Sequence, residues 1–209
     1  MAPNRAAAVD QYRRAAPGYD RHMRRFSRWQ RMAIGHLSLR PGDTVIDVAC
    51  GTGLNFPALE SAIGPTGAIT AIDLSHDMLA QARQRAEDNG WTNVTLVEAA
   101  VEDAEFDATA DAALFSFTHD VLQSPPAVAN VVRHLRPGAR VASVGAKFAG
   151  NFVVDFFVRR SARPYVTTFS GLDRPWRLLE DHVGEMQHRR LALGGAYVAW
   201  GSVPDRDGG

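Results

Sequence analysis

Val45-Ile-Asp-Val-Ala-Cys-Gly-Thr-Gly-Leu54 is the stretch from which the fold can be read. Apolar residues without alternation describe a buried strand, which runs into a tight glycine turn and then a short helix over residues 56–63. Open α/β sheets bind ligands at the carboxyl ends of their strands, where this turn falls. Gly51 and Gly53 let the backbone approach a ligand closely, and the N-terminus of the next helix offers free N–H groups. Asp47 stands near the strand's end, where a carboxylate can meet an ammonium group. The pattern is neither the G-x-G-x-x-G dinucleotide fingerprint nor a phosphate loop, because no Gly-Lys-Ser/Thr follows. A carboxylate ahead of the turn disfavours a polyphosphate and favours a ligand carrying a positive amine.

Outward from this turn, strands and helices alternate. Thr44 to Val48 is the first strand, and Gly64-Pro65-Thr66-Gly67 turns the chain into a second over residues 68–72. A helix over residues 75–89 has Ser75 as its N-cap and Gly90 just past its end. Residues 94–98 and 110–116 read as the third and fourth strands. A helix over residues 126–135 stops at Arg136-Pro137-Gly138, ahead of a fifth strand over residues 140–145. This alternation predicts a parallel sheet covered by helices on both faces. Further on, residues 151–163 and 176–183 read as helices. Gly194-Gly195 marks a hairpin between strands over residues 187–193 and 196–203. Ahead of the first strand, residues 5–40 read as helical and basic, split by Pro17-Gly18.

Composition narrows the function. The chain has 209 residues, 45% of them apolar and 22% charged, with a formal net charge of zero. That is the balance of a globular domain and not of a surface built to hold nucleic acid. Lys147 is the sole lysine, an imbalance that carries no functional weight. Cys50 is the sole cysteine, so no intrachain disulfide forms and no thiolate metal site is expected. The N-terminal residues lack the apolar core of a signal peptide, and no run approaches the roughly 20 apolar residues of a membrane span. A soluble, cytoplasmic protein without an integral membrane segment is expected.

A second signal follows about twenty residues after the first, in Ile69-Thr-Ala-Ile-Asp73-Leu-Ser-His-Asp-Met78-Leu. An acidic residue at the end of strand two is placed to accept hydrogen bonds from ribose hydroxyls. With Asp47-Val-Ala-Cys-Gly-Thr-Gly53 ahead of it, the pair resembles the cofactor motifs of class I S-adenosylmethionine-dependent methyltransferases, in the branch of ubiquinone/menaquinone and phospholipid methyltransferases. The resemblance covers residues 12–135. It implies a Rossmann-like α/β fold with a seven-stranded, mostly parallel sheet in the order 3-2-1-4-5-7-6. It implies one domain over residues 1–209, made of a helical lid (5–40), a cofactor-binding core (43–146), an acceptor lid (147–185) and a terminal strand pair (186–203).

By the same resemblance S-adenosylmethionine is the cofactor and S-adenosylhomocysteine the product. Asp47 and the backbone around Ala49, Gly51, Thr52 and Gly53 would hold the methionine moiety. Asp73 would take the ribose hydroxyls, while Leu74 and Met78 would flank the adenine. The family usually carries Gly-Asp-Ala after strand three, where this chain has Ala99-Ala100-Val101-Glu102. Ala100 stands at the aspartate position, so the adenine contact is either lost or passes to Glu102 or to backbone near Val101. Phe115 and Ser116, at the end of strand four, complete the cofactor wall. Tyr12 and Tyr19 belong to the segment that closes over the cofactor in relatives.

Strand four ends in Leu114-Phe-Ser-Phe-Thr-His119-Asp120, at the rim where this family seats its acceptor. His119 is either a general base for an acceptor losing a proton or a residue that shapes the pocket or hydrogen-bonds to the cofactor. Asp120 is a weaker catalytic candidate and equally a helix cap. Phe148, Phe152, Phe156, Phe157, Tyr165, Phe169 and Trp176 fall where an acceptor lid belongs; such a cluster packs as core more often than it lines a pocket, but some should line an apolar site. Arg159, Arg160 and Arg163 form a solvated face or meet an anionic acceptor. The reaction implied is methyl transfer to an oxygen, nitrogen or carbon nucleophile of a small molecule, natural-product or quinone-like. Two alternatives stay open: head-group N-methylation of phospholipids or betaine lipids, with the basic N-terminal helices touching the membrane, and a non-methylating member of the fold.

Overall fold

The computed structural model describes residues 20–106 and 109–205. Helical residues 20–23 and a 3-10 turn, Arg24–Phe26, lead into helix α1, Ser27–His36. Pro17-Gly18, expected to split this region, lies outside the described residues. The elements that follow are β1 (Thr44–Val48), α2 (Phe56–Ile63), β2 (Ala68–Asp73), α3 (His76–Asp88), β3 (Val94–Glu98), β4 (Ala110–Ser116), α4 (His119–Leu122), α5 (Pro125–Arg133) and β5 (Leu135–Ala146). The chain closes with α6 (Phe152–Ala162), α7 (Arg177–Val183), β6 (Gln187–Leu191) and β7 (Ala196–Ser202).

One seven-stranded sheet has the order β3-β2-β1-β4-β5-β7-β6, as the resemblance implied. The first five strands in this order pair in parallel, and β7 runs antiparallel between β5 and β6. Strands buried on both faces explain why β1, β2 and β4 read as continuous apolar runs. Ile46, Val48, Phe115 and Val141 turn to one layer, where Val128, Val131 and Trp176 pack. Val45, Ile69, Leu114 and Ala142 turn to the other, against Ile34, Leu59 and Leu79. Helix α1 also reaches β7, where His36 stacks on Trp200 with ring centroids 3.6 Å apart.

Ser75 caps α3, its side chain accepting the Met78 N–H. Strand β5 starts at Leu135, five residues before the strand read from the sequence. Leu135 pairs with Ala110 and Arg140 with Ala112, so Arg136-Pro137-Gly138 is an irregularity inside the ladder, with Gly138 at φ 74°. Strand β6 ends at Leu191, because the chain tightens into a 3-10 turn at Ala192–Gly194 before Gly195. Among the described residues no helix is long and apolar enough to cross a membrane, and no His/Cys/Asp/Glu group is arranged to hold a metal ion.

Between β1 and β4 the chain leaves the sheet toward opposite sides, which opens a crevice at their carboxyl ends. The glycine turn lies on one side of this crevice and residues 117–119 on the other.

Candidate active site

The turn after β1 is wound tightly. Ala49, Gly51 and Gly53 have φ of 50°, 58° and 73°, a left-handed region that costs an alanine more than a glycine. A side chain at Gly53 would sit 2.5 Å from the Phe56 ring, so the turn and the first residue of α2 admit only glycine there. Asp73 braces the turn from β2. Its Oδ2 accepts the Gly51 N–H at 2.8 Å and its Oδ1 accepts the Ser75 N–H at 2.8 Å. Burial pushes the Asp73 carboxyl up, opposed by the Ser75, Gly51 and Leu74 N–H groups that favour its ionised form. With three N–H groups drawn to it, the carboxylate keeps acceptor capacity for a ribose hydroxyl.

Asp47 is fully buried beneath the turn and does not lie on its open face. Burial, reinforced by the Asp73 charge and opposed by a hydrogen bond from Asn55, pushes its carboxyl up to about 7. Asn55 Nδ2 reaches Asp47 Oδ1 at 3.0 Å, which turns Asn55 Oδ1 away from the carboxylate. That oxygen is buried and has no partner among the described residues. An Asn one residue before a helix with proline in its first turn reads as an N-cap, yet Asn55 caps nothing. The lone acceptor fits an amine-bearing ligand better than the sequence alone conveys.

Three further contacts bring distant parts of the chain to this turn. Thr52 Oγ1 donates to Asp20 Oδ1, Arg85 Nη2 donates to Asp20 Oδ2, and Arg85 Nε donates to the Thr52 carbonyl. The helical entry is thereby fastened to the glycine turn and to α3. Gln30 of α1 donates to Ser116 Oγ at 3.3 Å, a second tie to the end of β4. Phe115 is fully buried below Ser116.

Leu74 is exposed beside Asp73, whereas Met78 is buried in the helix behind it. Ala100 and Val101 are buried; Glu102 is part-exposed in the 3-10 turn that follows β3. Asn130 holds this turn from α5, donating to the Val101 and Ala104 carbonyls. The Val101 carbonyl is thus already engaged. Tyr12 and Tyr19 lie outside the described residues.

On the far side of the crevice, Phe117 adopts φ 60°, a strained conformation for an aromatic residue. Its N–H still donates to the Val144 carbonyl, and its ring meets Phe26 at 5.1 Å. Next come Thr118, His119 and Asp120, each with one buried polar atom lacking a partner among the described residues. His119 Nε2 lies 2.9 Å from the Ser170 carbonyl. A carbonyl only accepts, so Nε2 carries the hydrogen and Nδ1 is left with a free lone pair. Burial lowers the His119 pKa, against the Asp120 charge and the Ser170 bond that raise it. Asp120 Oδ2 accepts both the N–H and the hydroxyl of Thr167, so its carboxylate anchors a loop and does not cap α4.

A cavity of about 80 Å³ is lined by Met23, Thr118, His119, Val144, Leu172 and Tyr197, among others. It shares His22, Phe26, Phe117, Ala146, Ser161 and Tyr165 with an outer groove of about 680 Å³ that Trp29, Phe157 and Arg160 also line. Aromatic walls with few polar groups suit a flat, apolar molecule. Phe157 and Tyr165 are therefore on this chamber, while Phe152 and Phe156 point elsewhere, 87% and 54% exposed.

Residues 45–138 match the family model described as a methyltransferase domain. The chain is 35% identical over 117 residues to a 2-phytyl-1,4-naphtoquinone methyltransferase of Nostoc sp., spanning 54% of this chain and 51% of that protein. It is 33% identical over 126 residues to a ubiquinone/menaquinone biosynthesis C-methyltransferase of Ectopseudomonas mendocina, spanning 59% of this chain and 49% of that one. The chain thus spans about half the length of these curated relatives. Among solved structures, an S-adenosylmethionine-dependent methyltransferase from Aquifex aeolicus superposes with a TM-score of 0.64 at 22% identity, covering 83% of this chain and 89% of that one. At that identity the likeness speaks to the fold.

Proposed function

We propose that the chain is a class I S-adenosylmethionine-dependent methyltransferase and that it methylates a flat, mostly apolar small molecule of the quinol or phenol class. The observation that carries the choice is His119 Nδ1, a buried lone pair without a partner among the described residues, at the wall of an aromatic chamber. A hydroxyl or an activated ring carbon gives up a proton as it gains a methyl group, and Nδ1 is free to take it. The named activities of the quinone methyltransferases among its relatives support the same acceptor class.

The residues present fit the cofactor. Asp73 retains acceptor capacity for a ribose hydroxyl while it braces Gly51. Asn55 Oδ1 is a buried acceptor for the amino group, and the left-handed Ala49–Gly53 turn would hold the methionine moiety through its backbone. Asp47 acts on that moiety through the turn it supports. Leu74 offers an apolar surface to the adenine, with Glu102 at its edge. Bound there, S-adenosylmethionine supplies an electrophilic methyl group on a sulfonium sulfur. The protein's work is to hold the acceptor in line and dry, and to accept one proton at His119 Nδ1.

Calorimetric titration with S-adenosylmethionine and S-adenosylhomocysteine tests the cofactor reading. Transfer of labelled methyl to a reduced naphthoquinone tests the acceptor class. Micromolar binding of both ligands with labelled quinol product is the expected result. Binding without any labelled product from quinols or phenols would overturn the acceptor class, and binding of neither ligand would overturn the whole reading.

A further inference from the structure

Helix α6 presents an apolar face that nothing in the described chain covers. Phe152, Val153, Phe156 and Phe157 fall at positions one, two, five and six, the spacing of one helical face, and are 54–87% exposed. The opposite face is anchored, with Val158 and Ala162 buried. Beside this helix lies the turn between β6 and β7: a side chain at Gly195 would meet Val154 at 2.9 Å and Val158 at 3.2 Å. From that turn Leu193 projects into solvent, 93% exposed, with φ 55° and ψ 24°. A branched residue in the left-handed region, with no burial to compensate, is the opposite of what a plain turn selects.

The exposed charged side chains on α6 and β6 themselves are arginines. Arg159, Arg160 and Arg163 are exposed on the same helix and its C-cap. Its one acidic residue, Asp155, is turned inward and accepts the Ala149 N–H. Arg159 lies over the Phe148 ring at 4.5 Å, held in place at the edge of the patch. Arg189 and Arg190 are exposed on the adjoining edge strand β6. A second copy packed on this face about a two-fold axis would bring the arginines of α6 together. A bilayer of anionic lipid satisfies both features, because arginines meet phosphates while aromatic and leucine tips enter the boundary between head groups and acyl chains.

We propose that α6 and the Leu193 turn form a docking surface for an anionic lipid membrane. Phe157 and Arg160 belong both to this surface and to the outer groove. Docking therefore turns the mouth of the chamber toward the bilayer, so that a lipid-soluble molecule can enter without crossing water. The surface stands on its own observations and does not depend on methyl transfer.

The test is flotation of the whole chain with vesicles of phosphatidylcholine alone and of phosphatidylcholine with one third phosphatidylglycerol, at low and high salt. Binding to the anionic vesicles that weakens with salt is expected. Phe152→Ser with Leu193→Ser, both at exposed positions away from the chamber lining, should lower the vesicle partition coefficient by at least about tenfold, with thermal midpoint and S-adenosylmethionine affinity unchanged. Arg163→Glu should weaken binding to anionic vesicles alone. No binding at low salt, or binding indifferent to these substitutions, would overturn the proposal. So would a concentration-dependent dimer, seen by light scattering, that the Phe152 and Leu193 substitutions dissociate.

Discussion

Asp20 and Arg85, 65 positions apart in sequence, form an ion pair of 2.6 Å that clasps Thr52 of the glycine turn between them. Both side chains are about a quarter to a third exposed, so the pair adds little to global stability, on the order of 1 kcal/mol or less. Its effect is local. Asp20→Ala should raise amide exchange in residues 20–26 and around Thr52, and weaken S-adenosylmethionine binding severalfold in calorimetry. Arg85→Lys should behave alike, because one ammonium cannot reproduce the two donors that Arg85 sends to different partners.

Asp73→Ala removes an acceptor from the Gly51 N–H and from any ribose hydroxyl at once. Leaving such groups unpaired should weaken cofactor affinity by about 1–3 kcal/mol. Asp73→Asn should recover part of the loss, since its carbonyl oxygen still accepts one of the two N–H groups. An affinity for S-adenosylhomocysteine that does not change in the alanine variant would refute the ribose assignment.

Because burial lowers the His119 pKa, its imidazole stays neutral, and competent as a base, to below pH 6.5. The acid limb of kcat should therefore fall at a pH below 6.5. The same shift affects stability: the unfolded chain binds this proton first, so the contribution of His119 is present above pH 6.5 and shrinks as the pH falls below it. His119→Ala should lower kcat by about a hundredfold or more if Nδ1 takes the proton. Retained turnover would leave His119 as a loop anchor only.

Asp47 shifts in the opposite sense. Its folded carboxyl holds a proton up to about pH 7, while the unfolded one ionises near 4. Stability from this group is fully present in acid and lost as the pH rises between those values. Asp47→Asn should remove this slope, and its gain over the parent chain from pH 5 to pH 8 should approach about 2.5 kcal/mol, measured by denaturant unfolding without cofactor.

Which features could be read from the sequence follows from how local their causes are. β1, β3, β4 and α2 were legible to the residue, because apolar runs and Gly-Pro punctuation fix their limits. The start of β5 was not, since Arg136-Pro137-Gly138 has the composition of a loop while its neighbours are held to β4 across a register shift. In the site, Asp73 and His119 could be named because strand ends announce themselves. The clasp of Asp20, Thr52 and Arg85 could not, with partners 32 to 65 positions apart, nor could the redirection of Asn55 from cap to carboxylate. Asp120 was weighed as a cap because its partner, Thr167, comes 47 residues later.

The tethers of the loop after α6 have one more consequence. His119 bonds to the Ser170 carbonyl, Gln123 to the Pro175 carbonyl, and Asp120 to the Thr167 N–H as well as its hydroxyl. Nearly all of these partners are main-chain atoms, which any residue supplies. The loop is thus a cassette clipped to the sheet by its backbone. Its side chains can be exchanged to reshape what the chamber admits while the clips, and the cofactor turn across the crevice, stay as they are.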